Sequence, residues 1–124
     1  MGELVLAAKI THVPSMYLSE FPGPHQGCRQ AAIDGHREIS RRARQRGADT
    51  PVIFDVHWLV NAGYHVNCSA RFSGVYTSNE LPHFIQDLSY DCAGNPELGE
   101  LIAECARDKG LNARAHQVQS LGLE

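Results

Sequence analysis

Three histidines in this 124-residue chain follow segments that read as strands: His12 after "LVLAAKIT", His57 after "PVIFDV" and His116 in "NARAHQV". A neutral imidazole held at a strand end offers one nitrogen lone pair at a fixed angle, which suits a divalent transition metal. In an open α/β sheet, functional groups gather beyond the carboxyl ends of the strands, so residues far apart in sequence can meet there. Asp55 stands two residues before His57, on the same side of its segment, where it could orient an imidazole or accept backbone hydrogen bonds. A single histidine at a strand end is also an ordinary capped or loop-bonded residue. No His-Glu-x-x-His pair is present, so spacing alone leaves both readings open.

The elements that must hold these residues follow from periodicity. Residues 4–11 read as a mostly apolar first strand, ended by a loop carrying Pro14, Pro22, Gly23 and Pro24. From Gly27 to Arg46 a helix is predicted, with Cys28, Ala32, Gly35, Ile39 and Ala43 as its apolar stripe and Gly47 as its stop. Residues 51–57 form a nearly continuous apolar run, as in a strand covered on both faces. Residues 64–72 alternate instead, which predicts a half-exposed strand with His65 on its polar, solvated side.

Residues 73–94 read mostly as loop, with a short helix around "PHFIQDL". A clear helix spans 95–110: Asn95 caps it, Pro96 suits the first turn, Glu97 complements the dipole and Gly110 ends it. Its predicted buried stripe is Leu98, Leu101, Ile102 and Cys105. A last strand at 112–118 ends near His116. Helices alternating with buried strands give an α/β fold class, a mostly parallel sheet flanked by helices, within one domain.

A net charge of −3 opposes a general nucleic-acid binder, which carries a basic surplus. The Arg-rich stretch 36–47 is the local exception, and a solvated helix end explains it better than phosphate binding. Cys28, Cys68, Cys92 and Cys105 lack Cys-x-x-Cys spacing, against a zinc ribbon or a thioredoxin-type site. No signal peptide is recognised, Leu6 breaks a myristoylation start, and no run approaches the ~20 apolar residues of a membrane span. The expectation is a cytoplasmic protein with reduced thiols, bound to neither nucleic acid nor membrane.

Five stretches, "KITHVPSMYLSE", "GCRQAAIDGHREIS", "FDVHWLVNAGYHVNC", "FSGVYTSNELPHFIQDLSYDCAGNPELG" and "ARAHQVQSLGLE", resemble the N-terminal part of class III extradiol ring-cleavage dioxygenases. The resemblance runs from about residue 3 to the last residue, and the block from Gly74 to Gly99 marks the branch acting on 3,4-dihydroxyphenylacetate. It implies that His12 and His57 are metal ligands for non-haem Fe(II), with Mn(II) as a substitute, and that His116 is a catalytic pocket residue. It also implies a catechol and O2 as substrates, and cleavage of the ring beside the diol.

The same resemblance implies a carboxylate ligand and a principal acid–base histidine further along a longer chain; Glu124 is not that ligand. Residues 1–124 are thus read as the N-terminal half of a larger single-domain fold, C-terminally incomplete relative to the family. A fragment, a truncated product and one half completed by a second chain all stay open, with a homo-oligomer or complementing chain expected. Ring cleavage by this short chain is expected to be impaired. The alternative is a chain that binds metal or a partner without chemistry, and a nucleic-acid module using the Arg-rich helix comes third.

Other residues have plainer readings beside functional ones. Trp58 either walls the pocket or is core. His25 is a loop residue, His36 an exposed or helix-packing one, and His83 packs its loop or shapes an aromatic-acid pocket. Arg29 and Arg71 are both candidates for a substrate carboxylate.

Overall fold

A computed structural model describes residues 2–56, 60–79 and 81–117. The chain divides into two compact units, the first formed by residues 1–53 and 78–86 and the second by 54–77 and 87–124. The elements are α1 (Ser15–Ser19), α2 (Gln30–Gln45), β1 (Tyr64–Asn67), β2 (Arg71–Tyr76), β3 (Leu88–Ala93), α3 (Pro96–Asp108) and β4 (Ala113–His116). The fold is α/β, with one parallel strand pair and one antiparallel pair.

In the first unit α2 packs beside α1. Ile33 is its buried residue, with Ala32, His36, Ile39 and Ala43 half-buried along the same stripe. Cys28 and Gly35, predicted on that stripe, are exposed. Ser19 is buried and its hydroxyl accepts the Arg29 N–H at 3.0 Å, which ties the end of α1 to the start of α2. The arginines of α2 are solvated and paired. Arg41 and Arg42 both donate to Glu38, and Arg37 reaches Glu20 and Asp34. These contacts favour the solvated-face reading of the basic stretch.

The first predicted strand does not form. Residues 4–11 lie outside any ladder, with Leu4 and Ile10 exposed. Side chains of α2 and of the residue just past its end hold this segment instead: Arg46 Nη1 donates to the Val5 carbonyl at 2.9 Å and His36 Nε2 to the Thr11 carbonyl at 2.8 Å. The buried strand predicted at 51–57 is likewise absent over 51–56, where Val52, Ile53, Phe54 and Val56 are all exposed. An apolar run becomes a strand only where neighbouring backbone accepts its hydrogen bonds, and none among the described residues does so here.

In the second unit β1 and β4 run parallel, in the register Tyr64↔Ala113 to Asn67↔His116. Helix α3 packs on both strands. Asn95 caps it as predicted, its side-chain oxygen accepting the Leu98 N–H at 3.1 Å, with Pro96 in the first turn. Its buried stripe is turned one residue from expectation. Gly99 and Ala103 are buried, Leu98, Ile102 and Ala106 are half-buried, and Leu101 and Cys105 are exposed. The contact selects small residues, because a Cβ on Gly99 would lie 2.8 Å from Cys68 Sγ.

The single strand predicted over 64–72 is broken in two. Cys68 N–H still pairs with the His116 carbonyl at 2.7 Å, but the Asn67 side chain then takes the Ser69 N–H at 3.2 Å. That local bond competes with the ladder and turns the chain before β2. The stretch read as loop at 73–94 is largely a hairpin instead: β2 pairs antiparallel with β3, from Arg71↔Ala93 to Tyr76↔Leu88. A two-residue alternation is hard to recognise when a glycine and four polar residues interrupt it, as in "RFSGVY" and "LSYDCA". Gly94 closes the hairpin against Ser69; a side chain there would meet the Ser69 carbonyl and the Phe72 ring.

Candidate active site

Parallel pairing puts residues of equal register on one face of the β1–β4 ribbon. Val66 and Cys68 lie on the face that α3 covers, with Ala113. His65, Asn67, Arg114 and His116 share the opposite, polar face. There the imidazoles of His65 and His116 lie side by side, with centroids 4.9 Å apart and planes 11° from parallel. His65 Nδ1 lies 2.8 Å from His116 Nε2, and His65 Nε2 lies 3.3 Å from the Ala62 carbonyl. Both rings are half-buried. The solvated role predicted for His65 is therefore corrected. Residues 65 and 116 are 51 apart in sequence, so only the pairing of β1 with β4 makes them neighbours.

His12 lies in the first unit, in the exposed segment just before α1. The His36–Thr11 hydrogen bond fixes the backbone one residue before it. The helix-packing reading of His36 holds, and its i+3/i+4 place on the α2 stripe was the signal for it. His57 and Trp58 lie outside the described residues, as does the convergence of His12 with His57. Asp55 Oδ1 accepts the Val56 N–H at 2.6 Å, and its other reading, orienting the imidazole of His57, lies outside the described residues.

The remaining candidates have local partners. Arg29 Nε donates to Ser15 Oγ at 2.9 Å. Arg71 grips both carboxylate oxygens of Asp91, at 2.6 and 2.5 Å, and its guanidinium holds that carboxyl below the usual carboxylate range. His25 is exposed in its loop. His83 stands edge-on to Phe84 at 4.6 Å, and the two line an open cleft of about 280 Å³ with Tyr17, Leu18, Phe21 and Gln86. The loop-packing reading of His83 accords with that contact.

Residues 6–124 match the family model described as the catalytic LigB subunit of aromatic ring-opening dioxygenase. The chain belongs to this family. It is also 65% identical over 124 residues to the 3,4-dihydroxyphenylacetate 2,3-dioxygenase of Escherichia coli. That alignment covers all of this chain and 45% of the relative, so the LigB-family chain spans less than half the length of the protein it matches.

Members of a ring-opening dioxygenase family act on aromatic rings with O2, and this bears on what the imidazoles can hold. Imidazole nitrogen is a donor type that fits a divalent first-row cation. Among the described residues, no three His, Cys, Asp or Glu side chains converge as a metal-binding group. All four cysteines are free thiols, and burial pushes the Cys68 thiol upward. No helix among the described residues is long and apolar enough to cross a membrane.

Proposed function

We propose that residues 1–124 are the N-terminal portion of an extradiol dioxygenase domain that cleaves 3,4-dihydroxyphenylacetate with O2 in aromatic catabolism, in the cytoplasm. The observation that carries this reading is 65% identity, along the whole chain, to an enzyme named for that reaction. His12 and His57 are the residues that would hold non-haem Fe(II), with Mn(II) as a substitute. When bound, the metal would act as a Lewis acid toward the catechol and bring it together with dioxygen. Both oxygen atoms enter the open-chain product as the ring bond beside the diol breaks, so no external reductant is needed. His116 takes a proton from the substrate and returns it, the ordinary work of an imidazole near neutral pH.

A second reading is that the chain binds metal or a partner chain without turnover. One observation favours it: Val52, Ile53, Phe54 and Val56 are exposed. A homo-oligomer or a complementing chain would cover such residues.

Anaerobic Fe(II) titration of the chain and of its His12→Ala and His57→Ala variants, followed by oxygen uptake with 3,4-dihydroxyphenylacetate, separates the two. Slow uptake that requires both histidines supports ring cleavage. Iron binding that requires both histidines, without uptake, supports the second reading. Iron binding unaffected by either substitution overturns both.

A further inference from the structure

Ring nitrogens of His65 and His116 face each other at 2.8 Å, with centroids 4.9 Å apart and planes 11° from parallel. That centroid separation is close to the nitrogen–nitrogen distance plus the two ring radii. The nitrogens therefore lie almost on the line between the ring centres, and one hydrogen bond runs in the plane of both rings. Its geometry is the same whichever ring donates the proton. His116 pairs in register with Asn67, so His65 reaches it diagonally, from two residues back along β1.

We infer, resting on the pocket role proposed for His116, that His65 is a positioning residue that fixes the plane of the His116 ring. A histidine ring turns about its Cβ–Cγ bond in a broad well, so partial burial alone sets its plane loosely. An in-plane hydrogen bond narrows that torsion, because turning the ring carries its nitrogen off the line to the partner. Proton transfer between an imidazole and a substrate oxygen needs a short, aligned contact. A ring aimed in advance need not be ordered again each time substrate binds. His65 is itself held on its far side, where Nε2 lies 3.3 Å from the Ala62 carbonyl. Helix α3 covers the other face of the same two strands and supports the backbone beneath both rings. His116 makes a further interaction besides this one, so His65 supplies a share of its order rather than all of it.

Scalar coupling between the two ring nitrogens across the hydrogen bond, measured by ¹⁵N NMR on the full chain at alkaline pH, detects the contact whichever ring donates. Wild type is expected to show this coupling, and ¹³C relaxation is expected to find the His116 ring well ordered. His65→Leu keeps bulk but cannot hydrogen-bond, and the ring order parameter of His116 is expected to fall below about 0.6, the flexible range. His65→Asn, whose amide offers both an acceptor and a donor near the place of Nδ1, is expected to restore most of that order. Absent coupling in wild type, or equal ring order in wild type and His65→Leu, overturns the inference. Order lost in His65→Leu and not recovered in His65→Asn assigns the effect to packing and overturns it as well. The wild-type coupling decides even if a variant fails to fold. A separate arm titrates 3,4-dihydroxyphenylacetate into wild type and His116→Ala. Unchanged binding there, with the coupling present, removes the pocket reading and leaves the positioning supported.

Discussion

Gly99 of α3 lies directly against Cys68, at the end of β1, so closely that a Cβ at position 99 would sit 2.8 Å from the sulfur. Cys68 is 2% exposed and Ala103, one turn further along the helix, is fully buried. Close approach of helix and ribbon is therefore built from small groups, and it supports the strands that carry His65 and His116.

Enlarging that contact should separate the two layers. Gly99→Val is expected to destabilise the chain by about 1–3 kcal/mol, the usual cost of overpacking. Urea unfolding followed by circular dichroism measures this. An unchanged midpoint would mean that α3 does not bear on Cys68.

The cap of α3 makes a second prediction. Asn95→Ala removes the oxygen that accepts the Leu98 N–H, and a loss of about 0.5–2 kcal/mol is expected. Asn95→Asp should recover most of it, since a carboxylate caps the same amide and complements the helix dipole. Thermal melts of the three proteins provide the comparison.

Acid sensitivity of α2 follows from Glu38. Hydrogen bonds from Arg41 and Arg42 lower its carboxyl from 4.5 to about 2. A carboxyl depressed in the folded state adds stability above its unfolded value, and that stability is lost as pH falls toward the folded one. Wild type should therefore exceed Glu38→Gln at pH 6, with the difference shrinking between about pH 4.5 and 2. The pair is exposed, so added salt should diminish the difference as well. A gap that is constant over this range would contradict the assignment.

Thiol reactivity should divide the cysteines. Cys28, Cys92 and Cys105 are exposed, whereas Cys68 is buried and its thiol is pushed up by that burial. Thiolate is the reactive form, so an aromatic disulfide reagent should label three thiols quickly and Cys68 only on unfolding. Rapid modification of Cys68 in the native chain would show that α3 does not shield it.

The sequence by itself determined the local features. Asn95 and Pro96 mark the start of α3, the 3.6-residue stripe marks α2, and the quoted motifs carry the family resemblance and with it His12, His57 and His116 as candidates. Such signals are legible because capping and periodicity depend on neighbours a few residues away. Only the tertiary structure decided the rest. Residues 4–11 and 51–56 are apolar enough for strands, yet a strand exists only where another backbone pairs with it, and the side chains of His36 and Arg46 hold the first segment instead. His65 alternates like a surface residue, but the parallel register of β1 with β4 brings it onto His116 from 51 positions away.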